Sequence, residues 1–245
     1  MQCFRAVAAR RLRGFASALV SAWASEHRLF LGQVKVENKS KEIKAIPALL
    51  ELLDISGCII TIDAMGTQHV IARRIQAIGA DYVLALKANH PTLHAQVKQW
   101  FETAQASNFE SIKYSDDVRV ESGHHRREKR RVTEVCIKQM GDLYKQSQWS
   151  SLQTIVRVVR TRYLWNKTTT EVMFYLSSLP PDAPQPQLGK AIRQHWSIEN
   201  QLHWVLDVTF GEDASRIRTA NAPLNMALLK RWSINLLNQV LLRMD

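Results

Sequence analysis

Three side chains spaced four residues apart, His195, Glu199 and His203, set a carboxylate between two imidazoles on one face of a predicted helix. The apolar residues Ile192, Trp196, Leu202, Val205 and Leu206 recur at helical intervals and predict the buried stripe of that helix. A carboxylate held on a rigid element beside imidazoles can bind a metal or move protons; the plain alternative is a solvated helix face. A second acid, Asp63, directly follows the five-residue apolar run Cys58–Ile62. It therefore stands at the carboxyl end of a predicted strand, the edge where open α/β sheets build their sites. Its plain alternative is to cap the turn that follows. Lys87 and Asn89 reach the same edge one strand over, after the run Asp81–Leu86. Arg126, Arg127, Lys129, Arg130 and Arg131 form a basic cluster suited to phosphates, whereas such a run on a solvated face would be ordinary surface charge.

The elements that must position these groups follow from patterning. Ser17–Ala24 is small and apolar and Leu29–Val36 alternates, with His27 and Arg28 between them, predicting a hairpin. A short helix is expected over Ile46–Leu53, with Pro47 in its first turn and Gly57 as its stop. Cys58–Ile62 and Asp81–Leu86 are continuous apolar runs, predicting strands buried on both faces. A helix from Thr67 to Ile78, capped by Gly79, joins them, and Gly66 is expected to let the backbone turn away from Asp63. The alternation of strand and helix implies right-handed crossovers and at least three parallel strands. After a helix over Thr92–Ala104 the texture becomes β-rich. A basic-tipped hairpin and two further strands, Leu152–Arg160 and Val172–Ser177, precede a proline-rich linker. A last helix is expected over Asn221–Met244.

Composition bounds the partners. The 245 residues carry a formal charge of +11 and 46% hydrophobic content, enough for one large domain or one domain with an insertion, and basic enough to favour an anionic partner. No apolar run approaches the ~18 residues of a bilayer span, which argues against membrane insertion. The Arg-rich, acid-free start faintly resembles a transit peptide and lacks the signals of a secretory one. Cys3, Cys58 and Cys136 are scattered and odd in number, which predicts a reducing compartment and no disulfide or zinc framework.

The stretches TIDAMG, ALKANH, GHHRREKRR, HWSIENQLHWVLDVTFGEDASRIR and NAPLNMALLKR, in that order, resemble the insertion-sequence DDE transposases, in particular the H-repeat-associated subgroup, from about Ser17 to the C-terminus. The resemblance implies a ribonuclease-H-like α/β fold over residues 1–245, a mixed sheet flanked by helices, with a β-rich insertion at about 108–180 before the last catalytic helix. It implies Asp63 as the second catalytic acid and Glu199 as the catalytic glutamate, both ligands of Mg²⁺ or Mn²⁺. His195, Asn200 and His203 then flank the site without binding the metal, because Mg²⁺ disfavours imidazole. Lys87, Asn89, Arg126, Arg127, Lys129, Arg130, Arg131 and Arg193 become candidate DNA contacts. The implied partners are transposon ends and target DNA, a second copy of the chain is a candidate, and the implied location is the bacterial cytoplasm with the nucleoid.

The implied chemistry is Mg²⁺-dependent strand cleavage and transfer, in which two ions about 3.5–4 Å apart activate the nucleophile and stabilise the leaving oxygen. One departure stands out. The family's first Asp lies on the opening strand in a DGK-like motif, and this sequence has no Asp before Asp54, which falls in the short helix. The expectation is therefore a copy lacking its opening strand, with Gln2–Ala8 as an acid-free candidate to fill the gap. A DNA-binding remnant without catalysis and a ribonuclease-H-like nuclease remain as alternative readings.

Overall fold

The structure is a computed structural model that describes residues 3–11, 18–36, 42–123, 126–181 and 187–241. Most of the polar connector after the first hairpin, His124 and His125 at the basic tip, and most of the proline-rich linker lie outside the described residues. The chain runs β1 (Cys3–Arg11), β2 (Ala18–Ala24), β3 (Leu29–Val36), α1 (Glu42–Glu51), β4 (Cys58–Ile62), α2 (His69–Ala77), β5 (Asp81–Leu86) and α3 (Pro91–Ala106). It continues through β6 (Tyr114–Gly123), β7 (Arg126–Cys136), β8 (Thr154–Tyr163), β9 (Thr168–Ser177), α4 (Gln187–His195), α5 (Trp204–Val208) and α6 (Ala222–Leu241).

Among the described residues nine strands join one mixed sheet in the order β3-β2-β1-β4-β5-β9-β8-β7-β6. β2 and β3 form the expected antiparallel hairpin. β1 lies between β2 and β4, antiparallel to the first and parallel to the second, and β4 is parallel to β5. With helices on both faces, this is the ribonuclease-H-like arrangement that the resemblance implied. The expected absence of an opening strand is corrected: Cys3–Arg11 occupies that central place. Its alternating Phe4, Ala6 and Ala8, all buried, satisfy one face without any acid. The β-rich region continues the same sheet, because β9 pairs antiparallel with β5.

β4 is buried at all five positions, as a strand covered on both faces must be. Ile60 and Ile62 meet Leu49 and Leu50 of α1, Ile71 and Ile75 of α2, and Val97 and Phe101 of α3. On the opposite face, Phe4, Ile59 and Val83 meet Leu188, Ala191 and Ile192 of α4. Ala6, Ala8 and Trp23 on that face meet Ile198, Leu202, Leu206 and Ile234. Residues of one parity on β1 and β4 therefore face the segment that carries Glu199.

Several local expectations need correction. α1 begins at Glu42, so Pro47 lies inside it; the lost hydrogen bond is offset by burial of Ala45, Ile46, Leu49 and Leu50. α1 ends at Glu51, well before Gly57; that residue, at φ +69°, instead donates to the Gly79 carbonyl at 2.8 Å and turns the chain into β4. Gly79 does cap α2 as expected, at φ +79°. Cys58 is disulfide-bonded, against the expectation from spacing: parallel pairing sets Cys3 and Cys58 side by side, a proximity that separation in sequence hides.

Candidate functional site

Asp63 ends β4 and opens a 3₁₀ turn over Ala64–Gly66. Its Oδ1 accepts from the Met65 amide at 3.2 Å, so the acid caps this turn while standing at the sheet edge. Thr67 Oγ1 donates to the Ala85 carbonyl at 2.7 Å, His90 Nε2 lies 2.7 Å from the Thr67 carbonyl, and Asn89 Nδ2 donates to the Ala64 carbonyl. The loop after β5 is thus lashed to the turn after β4. Asn89 braces the turn beneath Asp63, and Lys87 is exposed beside it. Gly66 has a different reason from the one expected. A Cβ there would sit 2.3 Å from Ile62 Cγ2 and 2.9 Å from Ile46 Cδ1, so close packing against α1 and β4 demands glycine.

The predicted helix from Arg193 is broken into α4, a π-helical segment over Ile198–His203, and α5. The wider turn closes with the Trp204 amide donating to the Glu199 carbonyl; such segments concentrate at functional sites. It also corrects the buried stripe. Trp196 is 45% exposed while Ile198, Leu202 and Leu206 are fully buried. Burial of each leucine contributes about 1.5–3 kcal/mol and holds the segment on the sheet despite its departure from α geometry. Glu199 is half exposed, and its Oε2 lies 3.1 Å from Nδ1 of the buried His203. Asn200 is exposed on the same segment.

His195 reaches from α4 to β4. Thr61 Oγ1 donates its one proton to the Arg5 carbonyl at 3.3 Å. His195 Nδ1 lies 3.0 Å from the same hydroxyl oxygen, so Thr61 ties α4 to β1 and β4. Burial pushes the His195 pKa down from its ordinary 6.5, and Lys87 adds to the drop; the carboxylates of Asp63 and Glu199 oppose it. Both acids and Lys87 act on the same ring, so strand end and helix bring these groups into one neighbourhood.

A third position completes the geometry. Val7 pairs with Ile62 at the end of the parallel ladder, and the same register continued by one residue leads to Ala8 and Asp63. Ala8 is buried and packs with Ile198 and Leu202, which flank Glu199 in sequence. Its side chain is a methyl group. Among the described residues no group of three or more His, Cys, Asp and Glu side chains is arranged to hold a metal ion.

The basic hairpin divides by strand parity. Arg130 faces the α4 side, 2.5 Å from Glu128, which also meets Arg162 at 3.1 Å. Arg131 lies on the opposite face, 2.8 Å from Asp116. Arg127 and Lys129 are exposed, and Arg126 lies at the start of β7. Arg193 meets Glu121 at 2.8 Å and bridges α4 to β6. Arg130 and Arg193 line a cavity of about 1400 Å³, together with Arg119, Arg160, Arg162, Lys190 and Trp196. Sequence reasoning missed Arg160 and Arg162, although their period-two spacing on β8 carried the signal. It also missed Thr61 and Ala8, for which only strand pairing could supply the partner.

No helix among the described residues is long and apolar enough to cross a membrane. Residues 8–236 match the family model described as the transposase DDE domain. The putative transposase YncI of Escherichia coli O157:H7 is 40% identical over 223 residues, covering 89% of this chain and 55% of that protein. The H repeat-associated putative transposase YhhI of Escherichia coli K12 is 36% identical over 231 residues, covering 93% of this chain and 59% of that protein. The chain thus spans little more than half the length of these relatives.

Proposed function

Because the chain belongs to the DDE-domain transposases, we propose that it is a DNA-binding transposase-type protein whose acidic site lacks one of its three carboxylates. Asp63 takes the part of the second family acid and Glu199 that of the glutamate, while Ala8 stands where the first acid belongs. The observation that supports this reading is the parallel register of β1 against β4, which ends at Val7 and Ile62 and, continued by one residue, leads to Ala8 rather than an acid next to Asp63.

The family generally uses divalent metal ions. The residues present do not fit a pair of them: hard cations such as Mg²⁺ ask for oxygen donors from several directions, and one of three directions here ends in a buried methyl group. What the chain's own groups do is hold positions. Met65 and the Asn89 brace fix Asp63, His203 steadies Glu199, and Thr61 orients His195.

DNA binding rests on other residues. Arg130 and Arg193 in the cavity and Lys87 at the sheet edge supply phosphate contacts that do not need the acids. Strand transfer and binding, measured on one sample with element-end DNA and either Mg²⁺ or Mn²⁺, test the reading. It expects salt-dependent binding without turnover. Turnover abolished by Asp63→Ala would overturn it.

A further inference from the structure

We propose that a second cavity, between the first turns of α2 and α3, binds a phosphate group through the amides of those turns, Thr92 and Lys145. The site goes beyond the DNA-binding reading above and does not depend on it. Its volume is about 360 Å³. α2 and α3 pack on the face of the sheet opposite α4, so this cavity is separate from the one that Arg130 and Arg193 line. α2 starts at His69 and α3 at Pro91, and neither helix has a side-chain cap. Uncapped first-turn amides carry partial positive charge and attract anions, and here two such ends meet at one cavity. The Tyr144 amide donates to Gln96 Oε1 at 2.7 Å, which ties the loop after β7 to α3. Lys145 of that loop stands in the cavity wall. Among the described residues no aspartate or glutamate lines the cavity.

Unspent donors in the wall point to the same ligand. Trp149 is 3% exposed and lines the cavity, yet its indole N–H has no hydrogen-bond partner among the described residues. The buried Nε2 of His69 has none either. The rings of His69 and His90 pack on Trp149, with centroids 4.2 Å and 5.3 Å from it. Buried donors without acceptors are rare in folded proteins, and a phosphate oxygen supplies the missing acceptor. The charge of the surroundings is legible at His69. Burial first, then His90, Lys145 and Arg73, push its pKa below the ordinary 6.5, and no carboxylate opposes them. A phosphate carries close to two negative charges and several strong acceptor oxygens. It can therefore meet donors that converge from two helices and a loop.

The test titrates the full chain with inorganic phosphate and, separately, with duplex DNA, while NMR follows the His69 ring. The His69 pKa is expected to rise towards its ordinary value as the anion arrives, because a negative charge favours the protonated ring. Lys145→Gln, at an exposed position, is expected to weaken phosphate binding by roughly ten-fold. Thr92→Glu sets a carboxylate at the α3 N-terminus, where it suits the helix. It is expected to abolish phosphate binding without loss of thermal stability. A His69 response to phosphate that Lys145→Gln weakens and Thr92→Glu removes supports the site. A response to DNA alone, altered by the same variants, assigns the site to a backbone phosphate. A response to phosphate in a protein that binds no DNA keeps the site and overturns the DNA-binding reading. A His69 ring indifferent to both anions, or one that responds equally in both variants, overturns the proposal.

Discussion

Val7 and Ile62 are the last parallel pair of β1 and β4, and one step beyond them the register leads to Ala8 and Asp63. Both positions have the parity that faces the segment carrying Glu199, since Phe4, Ala6 and Ala8 on β1 and Ile59 on β4 pack towards that side. An aspartate at position 8 would therefore project at the two existing acids. In the absence of metal, Ala8→Asp should lower stability by roughly 1–3 kcal/mol, because it buries a charge beside like charges. Added Mg²⁺ should return the loss, by about 2.7 kcal/mol at a hundredfold excess over the dissociation constant. Thermal unfolding of both proteins with and without Mg²⁺ checks this, and the unsubstituted protein should respond weakly.

The parity of β7 makes a prediction about DNA. Arg130 faces the cavity and Arg131 the other side of the sheet. If the cavity carries the phosphates, Arg130→Ala and Arg193→Ala should each flatten the log–log salt dependence of binding by about one unit, while Arg131→Ala should change it little. A larger effect at Arg131 would move the contact surface to the opposite face.

His195 sets an acid limit on stability. Its folded pKa lies below the ordinary 6.5 because of burial. As pH falls through about 6.5 the unfolded chain takes up a proton that the folded ring does not, so stability falls with pH over that window. His195→Gln, which keeps a side-chain amide near Thr61, should reduce the slope of unfolding free energy against pH below 6.5 by up to one proton. Denaturant titrations at several pH values measure the slope, and an unchanged slope would place the proton uptake elsewhere.

Gly66 should not accept a side chain. The 2.3 Å and 2.9 Å approaches to Ile62 and Ile46 force a shift in packed core, so Gly66→Ala should cost roughly 1–3 kcal/mol. Chemical denaturation checks the value.

Local pattern made much of this protein readable. The continuous apolar runs of β4 and β5, the hairpin of β2 and β3 and the capping Gly79 follow from side-chain periodicity and turn chemistry, and Asp63 at a strand end follows from them. What the sequence concealed depends on pairing. The strand over Cys3–Arg11 reads as an arginine-rich start until its ladders with β2 and β4 are seen. The π-helical turn at Ile198–His203 has no pattern in a 3.6-residue period, so Trp196 was placed inside when it faces out. Thr61, one residue of an apolar run, gains its role only from the distant Arg5 and His195.

The central claim is that one missing carboxylate, at position 8, separates this protein from a working site. It is tested most directly by divalent-metal-dependent cleavage of element-end DNA by the unsubstituted protein, Ala8→Asp, and Ala8→Asp combined with Asp63→Ala. The account predicts DNA binding by all three and cleavage by Ala8→Asp alone. Cleavage by the unsubstituted protein at a rate that Ala8→Asp does not raise would contradict it.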